Sequence, residues 1–237
     1  MVHPSRVSSK TRQGVANDYR EADQGRAPPA EPFWAYKGPW AAIEGELGAA
    51  LPQDYKDFVA VYGGGYFMKF LNVYLPKSWT VHLRLGARVK VVADGFREIT
   101  REFEDYLPYP LWPAPEGLMA FGRTDDGDVL FWLTRGAPDD WPVVFWDRGM
   151  HEAELFNCDM TDFLADMTTG AILPDVFDAK ARARKIKFKP YTDKNVKSAR
   201  DDPAEAADRL RAWRLSWTQV ATGTWGYVAR EPLWKSH

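Results

Sequence analysis

Leu118-Met119-Ala120-Phe121-Gly122-Arg123-Thr124-Asp125-Asp126-Gly127-Asp128-Val129-Leu130-Phe131-Trp132 places two apolar runs around an Asp-Gly turn. Glycine reaches positive φ without steric cost, and aromatic and β-branched residues suit a pleated, half-buried surface, so the stretch predicts a β-hairpin. Beyond it, Gly136-Ala137-Pro138-Asp139-Asp140 supplies a second turn, and Pro142-Val143-Val144-Phe145-Trp146-Asp147 a further strand. Three successive antiparallel strands are therefore expected.

Upstream the period changes. Trp40, Ile43 and Leu47 lie on one face of a helix that Pro39 opens and Gly48 ends. Leu51-Pro52-Gln53-Asp54-Tyr55 opens a second helix with Tyr55, Phe58, Val59 and Tyr62 as its buried stripe, stopped by Gly63-Gly64-Gly65. From Tyr66 to about Val92, runs such as Phe70-Leu71-Asn72-Val73-Tyr74 and Val89-Lys90-Val91-Val92 predict strands. Residues 95–107 predict a short helix through Phe96, Ile99, Phe103 and Leu107, and Pro108, Pro110, Pro113 and Pro115 an exposed loop after it. Downstream, Asp159-Met160-Thr161-Asp162 predicts a capped helix with Phe163, Leu164 and Met167 inward and Gly170 at its end.

The ordered set Trp40-x-x-Ile43-Glu44, Leu47-Gly48, Leu51-Pro52-x-Asp54-Tyr55, Tyr62-Gly63-Gly64-Gly65, Asp126-Gly127-Asp128 and Thr161-Asp162-Phe163-Leu164 resembles the SUKH superfamily over about residues 38–173. That superfamily includes Smi/Knr-like regulators of fungal cell-wall synthesis and bacterial immunity proteins that neutralise polymorphic toxins, frequently nucleases. The resemblance implies an α+β domain, helices against a mainly antiparallel sheet, with no catalytic residues and action by binding.

Composition divides the chain. Residues 1–33 read as a disordered leader with 5 basic and 4 acidic side chains. Residues 34–178, the expected SUKH-like domain, carry 12 basic and 23 acidic side chains, and the tail 179–237 carries 14 and 6. An acidic domain suits a basic protein partner and disfavours nucleic acid. Lys180, Arg182, Arg184, Lys185, Lys187 and Lys189 give the tail the opposite tendency. Three readings stay open for the tail: weak contact with nucleic acid, a solvated segment, or folding back onto the acidic domain. Asp202-Pro203-Ala204-Glu205 predicts a helix start leading to Leu210, Trp213 and Trp217. No apolar run reaches membrane-spanning length, no secretory pattern opens the chain, and Cys158 stands alone, so a cytoplasmic location is expected.

The reactive motifs fail on spacing. Asp125-Asp126-Gly127-Asp128 lacks the alternate ligands and later Glu of a calcium loop, and Gly63-Gly64-Gly65 follows a helix and lacks the Lys-Ser/Thr of a phosphate loop. His3, His82, His151 and His237 form no ligand pair, Cys158 has no catalytic partner pattern, and no serine sits in a nucleophile elbow. Glu102, Glu104 and Asp105 read as a solvated helix rim. No enzyme, cofactor or metal is therefore expected. The expected function is immunity against a cognate protein toxin with a basic surface, with cell-wall or growth regulation as the alternative. Asp125, Asp126 and Asp128 are candidate contacts as a negative turn, and Asp139, Asp140 and Trp141 as carboxylates beside an aromatic anchor. Trp40, Trp132 and Trp146 are expected in the core, whereas Trp79, Trp112 and Trp141 occupy loop positions open to a partner.

Overall fold

The computed structural model describes residues 28–67, 71–78, 80–103, 106–171, 174 and 187–192 of the 237. In chain order the elements are α1 (Ala41–Leu47), α2 (Gln53–Tyr62), β1 (Gly65–Phe67), β2 (Leu71–Val73), α3 (Leu85–Glu102), β3 (Leu118–Thr124), β4 (Val129–Leu133), β5 (Val143–Asp147), β6 (Glu152–Phe156), α4 (Met160–Thr169) and β7 (Phe188–Pro190), with short 3₁₀ turns at Val81–Leu83 and Pro138–Asp140. The strands form one seven-stranded sheet in the order β6-β5-β4-β3-β2-β1-β7, antiparallel at each pairing. The expected α+β fold is therefore present.

Side-chain alternation along β4 divides the layers, because successive residues of a strand point to opposite faces. Trp132 meets Tyr55 of α2 at a ring separation of 5.2 Å, whereas its neighbour Phe131 meets Phe96 of α3 at 5.6 Å. Helices α2 and α4 thus cover one face and α3 the other. On the first face Phe156 packs on Phe163 of α4 at 5.0 Å, and on the second Trp146 packs on Phe96 at 4.8 Å. Trp132 and Trp146 are fully buried, as expected, and Trp40 packs against the core from α1. The buried Tyr55 hydroxyl donates to Tyr74 O at 2.8 Å, tying α2 to the end of β2.

The Asp159 cap is present: its Oδ1 accepts from Asp162 N at 2.7 Å, and Gly170 ends α4 in the left-handed conformation. Gly63 closes α2 at φ 63 and ψ −145, a region open essentially to glycine alone.

Three expectations are corrected. Val89-Lys90-Val91-Val92 is helical, part of the 18-residue α3, and the predicted helix over 95–107 instead ends at Glu102. Buried Leu85, Val89, Val92, Phe96 and Ile99 form one helical stripe, so the long 3.6-residue period overrides the local β-propensity of three valines. Strand β6 was unread because its Glu152-Ala153-Glu154 start is polar, as befits an edge. The proline loop is only partly exposed, since Leu111 and Trp112 pack on the core and Trp112 Nε1 donates to Leu47 O at 3.0 Å. Outside residues 34–178, Phe33 O accepts from Gly64 N at 2.5 Å, and β7 spans Phe188–Pro190. Trp79, Glu104 and Asp105, the basic residues 180–185 and the predicted helix after Pro203 lie outside the described residues.

Candidate partner-binding surface

The β3–β4 turn begins with backbone geometry. Thr124 N donates to Asp128 O at 3.0 Å, Gly127 N donates to Thr124 O at 3.2 Å, and Gly127 takes φ 101. Asp128 faces inward, contrary to its expected place on a negative tip. Its Oδ2 accepts the Thr124 hydroxyl at 2.7 Å and its Oδ1 accepts Arg148 N at 3.1 Å. Burial pushes its carboxyl up, against the Thr124 and Arg148 hydrogen bonds that favour the charge. Asp128 is therefore the brace of the turn, and Asp125 and Asp126 alone form the exposed tip. Asp125 Oδ1 accepts from Asn72 Nδ2 at 3.3 Å, which steadies the carboxylate against β2.

The register Val129↔Trp146 sets the β5–β6 turn beside this tip. Arg148 Nη1 donates to Asp126 O at 3.3 Å, and Asp147 Oδ1 accepts Gly149 N at 2.6 Å and Met150 N at 3.1 Å. The turn so held projects Met150, which is 66% exposed. His151, at φ 58, places its ring 5.2 Å from Tyr106, whose backbone N donates to Phe103 O at 3.2 Å. Phe103 is 42% exposed. It was expected on the buried face of a helix over 95–107, but α3 stops one residue before it and the side chain leaves the stripe. One end of the sheet therefore carries two carboxylates and two exposed apolar side chains. The sequence reading missed Met150 and Phe103, although an apolar residue in the polar turn Arg148-Gly149-Met150-His151 is a legible signal.

Asp139, Asp140 and Trp141 follow the other end of β4, a strand of five residues, about 17 Å long. Trp141, expected in an open loop position, is 5% exposed and packs into the core 6.2 Å from Trp132. Asp139 Oδ1 accepts Gln53 N at 2.7 Å and so caps α2, whose own N-cap residue is Pro52. Asp140 is exposed.

Helices α2 and α4 meet at this end through Asp54, whose Oδ2 accepts Thr161 N at 3.0 Å and whose Oδ1 accepts Tyr55 N at 2.7 Å. Burial, then the neighbouring Asp159 charge, raise Asp54 to about 7 despite the two amide bonds, with Asp139 adding to the rise. The folded state therefore binds this proton more tightly than the unfolded chain, whose aspartates titrate near ~4. The resulting stability is complete below that value and is lost as pH rises through 7. The difference in urea midpoint between wild type and Asp54→Asn is expected to change across pH 5 to 8; parallel pH profiles would refute the assignment.

Among the described residues, no group of three His, Cys, Asp or Glu is placed to hold a metal, and no helix is long and apolar enough to cross a membrane. A family model described as SMI1-KNR4 cell-wall, one of the SUKH models, matches residues 38–164. The chain belongs to the SUKH superfamily. The matched span runs from α1 into α4 and contains strands β1–β6, so this SUKH domain includes the acidic tip, Met150 and Phe103, while β7 lies outside it. The superfamily includes toxin-immunity proteins and Smi1/Knr4 proteins, which are generally not enzymes. No curated protein and no solved structure matches the chain.

Proposed function

We propose that this SUKH protein is an immunity protein, a stoichiometric inhibitor that binds a cognate protein toxin without catalysing a reaction. The observation that supports the reading is that exposed Asp125 and Asp126 and exposed Met150 stand on two loops that Arg148 joins. A desolvated apolar centre supplies most of the affinity of such interfaces, and surrounding carboxylates speed encounter with a basic partner. The acidic balance of residues 34–178, 12 basic against 23 acidic side chains, extends the same field.

The test is affinity purification of the tagged chain from its own cells at moderate salt, with mass spectrometry of what is retained. A single toxin-like protein released at high salt, whose toxicity the chain suppresses when the two are co-expressed, supports the proposal. Failure of that rescue overturns it. With the partner in hand, Asp125→Asn with Asp126→Asn is expected to slow association by about fivefold or more at low salt, an effect that fades as salt screens the charges. An unchanged rate removes the tip from the interface.

The family's cell-wall description favours a second reading, a regulator or scaffold of wall synthesis or growth. Retention of wall-synthesis or signalling proteins in the same purification would support it over toxin binding.

A further inference from the structure

The sheet that the family match spans would end at β1, yet β1 is covered by β7, a strand from outside that match. The pairing is three residues long, Gly65↔Pro190, Tyr66↔Lys189 and Phe67↔Phe188, and Pro190 has no N–H to give to the ladder. Tyr191 N donates to Gly64 O at 2.9 Å just beyond it. Two rings hold the segment, one on each side of the sheet edge. Phe188 enters a cage of Phe58, Tyr62 and Phe67 at ring separations of 6.1, 5.2 and 5.1 Å. Tyr191 lies 5.8 Å from Tyr66, and its hydroxyl donates to Asn72 Oδ1. Between them Lys189 is exposed and places its ammonium 6.0 Å from the Tyr66 ring. Gly65 makes the seat possible: a Cβ there would stand 2.3 Å from Phe188 Cζ and 2.5 Å from Lys189 O.

We infer that the outer edge of β1 is a strand-accepting groove, closed in this chain by its own residues 187–192, and that a partner's extended segment can replace them. The fitting segment has two aromatic residues three apart, the first for the Phe58–Tyr62–Phe67 cage and the second for Asn72, with a basic residue between. Such strand addition takes affinity from main-chain hydrogen bonds and specificity from side-chain pockets. A terminal strand with few paired groups also opens more readily than the centre of a sheet. The inference does not require the toxin reading, because it rests on β1 and β7 at the opposite edge of the sheet from the Met150 turn, although Asn72 links its second pocket to Asp125 of the tip.

The probe is a fluorescein-labelled peptide spanning residues 186–194, added to the full-length chain. Phe188→Ala with Tyr191→Ala empties both pockets, and this variant is expected to bind the peptide saturably and at least about tenfold more tightly than wild type, whose own strand competes in cis. Adding Gly65→Val is expected to abolish that binding. A variant folded by circular dichroism that does not bind the peptide overturns the inference. So does dimerisation of the wild-type chain through an exchanged β7, which would assign the groove to a second copy. Hydrogen exchange on the wild type decides independently of any variant's folding. Residues 187–192 are expected to exchange at least about 100-fold faster than β4, and exchange at the rate of β4 overturns the inference.

Discussion

Trp132→Ala is expected to lower unfolding free energy by about 4 kcal/mol, a large fraction of what a domain of this kind possesses. Trp132 is fully buried at the centre of the sheet, with Tyr55 at 5.2 Å, Phe121 at 4.7 Å and Trp141 at 6.2 Å. Its neighbours are held by β3, α2 and the β4–β5 connection, so they cannot collapse into the space the indole leaves. The cost is therefore the lost transfer energy plus most of the cavity term. Urea denaturation followed by circular dichroism measures it. A loss below about 2 kcal/mol would mean that the α2 layer repacks and that this packing is looser than described.

The second large effect is expected at Gly63, where two causes act together. At φ 63 and ψ −145 a side chain is strained whatever surrounds it, and a Cβ would lie 2.3 Å from the backbone oxygen of Phe33. Backbone cannot swing aside as a flexible side chain does, so Gly63→Ala also breaks the Gly64 N to Phe33 O bond that holds the incoming chain. A loss of about 3 kcal/mol or more is expected. Gly48→Ala is the control, because Gly48 has φ 77 with nothing near its missing Cβ and is expected to lose only about 1 kcal/mol. Equal losses at the two positions would show that φ alone, without the Phe33 contact, governs both.

The α+β fold was legible because its signals are local and repeated. The Asp-Gly turn, the stripe Tyr55, Phe58, Val59, Tyr62 and the Asp159 cap each name an element from a few adjacent residues, and the structure contains all three. Where a short run competed with a long period, the short run misled: Val89-Lys90-Val91-Val92 carries β-propensity, but Leu85, Phe96 and Ile99 on either side set the helical face. The candidate surface was half legible for a different reason. Asp125, Asp126 and Asp128 share one turn in the sequence, but whether a carboxylate faces water or braces a turn depends on Arg148, twenty residues away. Asp139 likewise owes its capping role to Gln53, 86 residues upstream. Trp141 looked open because it follows two aspartates, and only the tertiary position of Trp132 makes it core. Strand β7 shares no pattern with the domain it completes, because one aromatic in each of two pockets leaves no periodic trace.

The inward turn of Asp128 has a consequence for how such a surface changes over time. Thr124, Asp128 and Arg148 hold the two loops together without the side chains of Asp125, Asp126 or Met150. The frame and the display are thus separate sets of residues, much as framework and loops are in an antibody variable domain. Substitutions can rewrite the display while the frame keeps its fold, and each rewritten tip is presented already ordered, with little entropy left to lose on any contact.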